Sequence, residues 1–113
     1  MNESIEPFEI HVPDSVLADL KARLAQTRFP DQILDTGWEY GAELGYMKEL
    51  VTYWKDGFDW RAQEARLNRF PQFQTEIDGQ RIHFIHARSR YENALPLLIA
   101  HGWPGSIDRK SVV

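Results

Sequence analysis

PQFQTEIDGQRIHFIH, residues Pro71 to His86, is the stretch on which the fold turns. Phe73, Thr75 and Ile77 alternate with polar neighbours, Asp78-Gly79 follows, and Ile82 and Phe84 alternate on the way back. Alternation with a period of two puts the apolar side chains on one side of a strand. Asp-Gly between two such runs is a strong signal for a two-residue hairpin turn. The spacing therefore predicts an antiparallel pair at 73–78 and 81–87.

Upstream of this hairpin the period is that of a helix. A short extended start at Phe8–Val12 leads to Pro13-Asp14-Ser15, which open a helix in which Val16, Leu17, Leu20 and Leu24 recur at 3.6 residues. Pro13 suits a first turn, where its missing N–H is not needed. Pro30 disfavours a helical Phe29, so the helix stops before it. After a loop through Asp35-Thr36-Gly37, a second stripe runs through Leu44, Met47, Val51 and Trp54, and Gly57 is placed to end that helix in a left-handed cap. Asp59 caps a third, shorter helix that ends near Asn68, before Phe70-Pro71. Trp38, Trp54 and Trp60 are read as core residues rather than as the lining of a channel.

Downstream, Leu95 to Ala100 (LPLLIA) is apolar throughout and reads as a strand at 95–100, of the kind found inside a sheet covered on both faces. It ends at His101-Gly102-Trp103-Pro104-Gly105-Ser106. Ligands of such sheets collect at the carboxyl ends of the strands. Gly102 lets the backbone turn unobstructed, Pro104 stiffens the exit, and the Trp103 N–H is left free to point into a cavity. An amide held this way stabilises an oxyanion. The other reading of the same residues is a plain Gly-Pro turn beside a core tryptophan.

Bulk properties bound these readings. The 113 residues suffice for one small domain, and 42% hydrophobic with 27% charged residues is an ordinary globular composition. A formal net charge of -4 leaves no basic footprint, so nucleic acid and anionic membrane surfaces are poor partners. The absence of cysteine excludes disulfides, thiolate nucleophiles and Cys-ligated zinc. No run approaches the roughly 20 apolar residues of a membrane helix, and MNESIEPFEI lacks a signal peptide's basic start and apolar stretch, so a cytoplasmic location is expected. His83 and His86 are three apart on a strand and face opposite sides, so no shared metal site is expected, even with His11 added. Asp56 and Asp59 are explained by helix ending and capping, and Glu64 by a solvated face, rather than as an acid pair.

Taken in order, Trp38-Glu39-Tyr40-Gly41, the run from Tyr53 to Arg61 (YWKDGFDWR), the run from Leu67 to Phe73 (LNRFPQF), Ile77-Asp78-Gly79, Ile82-His83-Phe84-Ile85-His86 and the terminal loop make the sequence similar to the N-terminal region of epoxide hydrolases of the microsomal and juvenile-hormone type, from about Pro7 to Ser106. The resemblance implies an α/β-hydrolase fold. Residues 1–71 would be a helical meander and residues 72–107 the first strands of an incomplete α/β-hydrolase sheet. It further implies that His101, Gly102, Trp103 and Pro104 form the oxyanion-hole loop, with the Trp103 backbone N–H as donor, and it admits a cis Trp103-Pro104 bond. The implied substrate is a small-molecule epoxide, with no cofactor and no metal. A second copy of the chain is the one further partner kept open. In such enzymes an Asp attacks the epoxide, lid tyrosines hold its oxygen, and a His-activated water cleaves the resulting ester.

No nucleophile elbow of the form G-x-S-x-G, or its Asp counterpart, occurs in these residues, so the chain alone is expected to be inactive. Asp108 to Val113 put charges where an apolar helix stripe is expected, and they resemble one reading frame of a sequencing adapter. They are read as a non-native tail, exposed and poorly ordered. Two classes follow: part of an epoxide hydrolase, or a non-catalytic binding or interaction module that retains a hydrolase-like start.

Overall fold

Pro13 stands immediately before the first helix, α1 (Asp14–Ala25), in extended conformation with φ −57° and ψ 145°. Its carbonyl accepts from the amides of Val16 and Leu17 at 3.0 and 3.3 Å, so proline supplies the first acceptor and is asked for no N–H. The computed structural model that shows this describes residues 4–107, and the reading of Asp108 to Val113 lies outside the described residues. The described elements are β1 (Glu6–Pro7), α1, α2 (Leu44–Asp56), α3 (Trp60–Leu67), β2 (Gln72–Ile77) and β3 (Gln80–Ile85). They fall into two compact units, one of residues 11–60 and one combining residues up to 10 with those from 61 onward.

In the unit of residues 11–60, α1 packs against α2. Leu17, Leu20 and Leu24 are half-buried, as are Leu44, Met47 and Val51, while Val16 and Trp54 of the two predicted stripes stay exposed at 52 and 47%. Glu43 precedes α2 and accepts from the amides of Gly45 and Tyr46 at 2.8 and 2.6 Å. These bonds to the charged form hold its carboxyl below the usual glutamate range, helped by Lys48 and opposed by desolvation. Gln32 fastens the loop between the helices, its amide donating to the Gly37 carbonyl and accepting from the Leu44 N–H, both at 2.7 Å. Asp35 and Gly37, with φ of 60° and 52°, turn that loop.

Gly57 does not make a left-handed cap, for its φ is −106°. Its role is steric, since a Cβ there would lie 2.8 Å from Cδ2 of Tyr53. The amides of Gly57 and Phe58 both donate to the Tyr53 carbonyl, at 2.7 and 2.9 Å, which closes α2 without a positive φ. Trp38 and Trp54 are also not core residues, being 60% and 47% exposed, while Trp60 is half-buried. Trp38 lies against the Tyr46 ring, 5.2 Å between centroids, which orders it without covering it.

The second unit holds the sheet, in the order β1-β2-β3 and antiparallel throughout. Asp78 and Gly79, with φ of 50° and 74°, form a two-residue turn closed by the Ile77–Gln80 pair, the primed type that suits strand twist. Phe73 stacks on Phe84 across the strands, and His86 meets the Phe73 ring edgewise on the same face. His83 lies on the other face, against Phe8. The two histidines therefore face opposite sides, as the spacing predicts. The short pairing of Glu6 and Pro7 with β2 extends the sheet earlier than the sequence suggests.

The predicted strand at 95–100 does not form. Leu95, Leu97, Leu98 and Ile99 are 90, 81, 96 and 56% exposed, and no described strand pairs with them. An internal strand is made by the hydrogen bonds of two neighbours and by cover on both faces, and an apolar run supplies neither. Pro96 removes one donor as well. Among the described residues no apolar side chain is buried; the two buried ones are polar, Glu64 and Gln72.

Candidate functional site

Three side chains of the second unit, Asn68, Gln72 and His83, form a connected polar junction. Asn68, just past α3, grips Ile10 by its backbone, its Oδ1 accepting from the Ile10 N–H at 2.9 Å and its Nδ2 donating to the Ile10 carbonyl at 2.8 Å. Gln72, 4% exposed, donates through Nε2 to the Leu67 carbonyl at 3.0 Å and to Asn68 Oδ1 at 3.2 Å. Its Oε1 then faces His83 Nε2 at 2.9 Å, so His83 carries its proton on Nε2. Helix, hairpin and N-terminal segment are joined here by side-chain amides rather than by apolar packing. Nearby on α3, Glu64 is buried and paired with Arg61 at 2.7 Å, and is not on a solvated face. A helix period gives position but not what covers it, and the Arg61 three residues earlier is the signal that marks this carboxylate for pairing.

The predicted site residues come together in one loop. His101, Gly102, Trp103 and Pro104 are all exposed, the Trp103 side chain at 96%. The Trp103-Pro104 bond is cis, the form the family resemblance admits, and the Gly102-Trp103 bond is not. His101 Nδ1 donates to the Gly102 carbonyl at 3.0 Å. The Trp103 N–H donates to no group among the described residues. The backbone amides of His101 and Gly102 likewise donate to no group among the described residues, so the loop offers three free backbone donors, and no carboxylate or second histidine shares a described hydrogen bond or ion pair with it.

Among the described residues no three His, Asp or Glu are grouped to hold a metal ion, and no helix is long and apolar enough to cross a membrane. Asp56 is the last residue of α2 and pairs with Lys55 at 3.3 Å, and Asp59 directly precedes α3. These aspartates stand where helix ends place them.

The epoxide hydrolase N-terminus family matches residues 5–109. The chain belongs to this family. A relative from Stigmatella aurantiaca is 53% identical over 103 residues, covering 91% of this chain and 23% of its own. Epoxide hydrolase 1 of Sus scrofa is 40% identical, covering 92% and 24%. The crystal structure of juvenile hormone epoxide hydrolase from the silkworm Bombyx mori superimposes with a TM-score of 0.85 at 32% identity, over 94% of this chain and 29% of that one. This epoxide hydrolase N-terminus therefore spans about a quarter of the length of the relatives it matches. Its fold class is that of the α/β-hydrolase epoxide hydrolases, of which the helices and the antiparallel hairpin sheet are the first part.

Proposed function

We propose that this chain works as the N-terminal part of an epoxide hydrolase, adding water across a small-molecule epoxide to give a vicinal diol. Its own contribution to the chemistry is the loop His101-Gly102-Trp103-Pro104. When water attacks the ester formed between enzyme and opened epoxide, negative charge develops on the ester oxygen, and the Trp103 N–H is the donor for it. The observation that carries this reading is the family match over residues 5–109, which takes in the whole loop. The unpartnered Trp103 N–H is what the role requires. The exposed run Leu95–Ile99 supports the same reading, as apolar surface suited to cover by further hydrolase structure.

The nucleophile and the water-activating base are not supplied by these residues, so the chain alone is inactive and the longer hydrolase is active. The test is turnover of styrene oxide by both. Diol formation by the 113-residue chain, abolished by a change in the loop, overturns the division of labour. In the longer enzyme, one residue inserted between Gly102 and Trp103 slows ester hydrolysis about 10²–10³-fold, the usual effect of losing one oxyanion donor. Alkylation is slowed less, so the covalent ester accumulates in single-turnover experiments. Equal slowing of both steps refutes the oxyanion role.

A further inference from the structure

The direction of the Trp103 N–H is set by atoms other than those of Trp103. Gly102 C=O and Trp103 N–H belong to one trans peptide plane and point in opposite directions. Whatever holds the carbonyl therefore aims the amide. Two residues hold it. On one side the His101 ring donates from Nδ1 to Gly102 O at 3.0 Å. On the other, Gly105 brings its Cα so close that a Cβ would fall 2.6 Å from Gly102 O and 3.4 Å from His101 Nδ1. The first obstacle is backbone, which cannot swing aside as a side-chain tip does, so any side chain at residue 105 turns the Gly102-Trp103 peptide.

We propose that His101 and Gly105 are the positioning residues of the Trp103 amide: the ring hydrogen bond and the missing side chain together clamp the Gly102 carbonyl and so fix where the N–H points. The inference rests on the oxyanion reading above and adds to it the means by which the donor is aimed. Because the carbonyl can only accept, the His101 ring must carry a proton on Nδ1 to make this bond.

The test has two arms. In the 113-residue chain, ¹⁵N spectra of the imidazoles, with His101 assigned by its loss in His101→Gln, are expected to show a single Nδ1–H form. Gly105→Ala is expected to abolish that form and shift the Trp103 amide, with the spectra of His83 and His86 unchanged as the mark of an intact fold. An averaged or Nε2–H His101 in the unmodified chain, or a Gly105→Ala spectrum that matches it, overturns the clamp. In the longer hydrolase, Gly105→Ala is expected to slow ester hydrolysis about a hundredfold while alkylation changes far less, and His101→Gln to fall between. If one residue inserted between Gly102 and Trp103 slows both steps equally, the oxyanion reading fails, and the clamp's catalytic role with it, whatever the spectra show. If that insertion slows ester hydrolysis selectively and Gly105→Ala hydrolyses the ester at the normal rate, the positioning role alone is refuted.

Discussion

Replacing Gln72 by leucine tests whether the polar junction, rather than apolar packing, holds the hairpin unit together. The change removes three hydrogen bonds: to the Leu67 carbonyl at 3.0 Å, to Asn68 Oδ1 at 3.2 Å and from His83 Nε2 at 2.9 Å. At about 1 kcal/mol net each, the gross loss is about 3 kcal/mol. All three abandoned groups have recourse. Asn68 Oδ1 keeps the Ile10 N–H, the Leu67 carbonyl keeps the Phe70 N–H at 3.1 Å, and half-buried His83 can turn toward water. Leucine is nearly the same size and adds about 1 kcal/mol of apolar burial at a site 4% exposed. The loss wins by about 2 kcal/mol, which is roughly a 30-fold change in a local opening equilibrium, since 1.4 kcal/mol is tenfold. Amide hydrogen exchange reads this directly. The Ile10 and Phe8 amides, bound to Asn68 Oδ1 and the Gln72 carbonyl, should exchange about 30-fold faster, and the amides of α1 should not change. Ile10 protection within twofold of the unmodified chain would refute the reasoning and return the credit to the Phe73–Phe84 face.

Gln72→Glu at neutral pH should loosen the same amides more than leucine does, because a carboxylate faces two acceptors where the amide donated; protection should recover as acid protonates it and restores a donor. Glu43 gives the opposite sign: its folded carboxyl is held below the usual range by the Gly45 and Tyr46 amides, so the bond stabilises α2 above that range and is lost as pH falls through the depressed value. The Gly45 and Tyr46 amide shifts should report that acid transition, and Glu43→Gln should abolish it. Gly79→Ala, at φ 74°, should weaken the hairpin by about 1–2 kcal/mol. Gly57→Ala has no positive-φ penalty; it needs the Tyr53 ring, 57% exposed, to swing away from Phe58 and the Tyr53 carbonyl, 3.3 Å from the new Cβ, to give by a few tenths of an ångström, so its effect on helix stability should be the smaller. Exchange-derived stabilities ranked the other way would refute the distinction.

What could be read from the sequence was what the chain decides locally. The leucines of α1 and the Leu44–Val51 stripe declare a helix because one residue in three or four must face the same side. Asp78-Gly79 declares a turn because few other pairs accept positive φ twice. Gly57 shows the limit of this reasoning, since a glycine at a helix end is equally explained by a left-handed backbone or by a ring lying against it, and only the position of Tyr53 decides. The Gln72–Asn68 junction was illegible for a related reason. A polar residue near a helix end looks solvated until the segment it bonds, Ile10, is brought across 58 positions of sequence.

The run Leu95–Ala100 and the loop after it separate two properties that the sequence presents as one. A strand is a collective object, and its hydrogen bonds come from neighbours far away in the chain. The run therefore stays irregular and exposed in these residues, however apolar it is. The loop is different, because its geometry is closed within five residues. His101 reaches the next carbonyl, the cis bond turns the chain, and Gly105 returns to the same oxygen. The loop's form therefore stands here without the strand, and on the oxyanion reading proposed above the aim of the Trp103 amide is set within the loop itself.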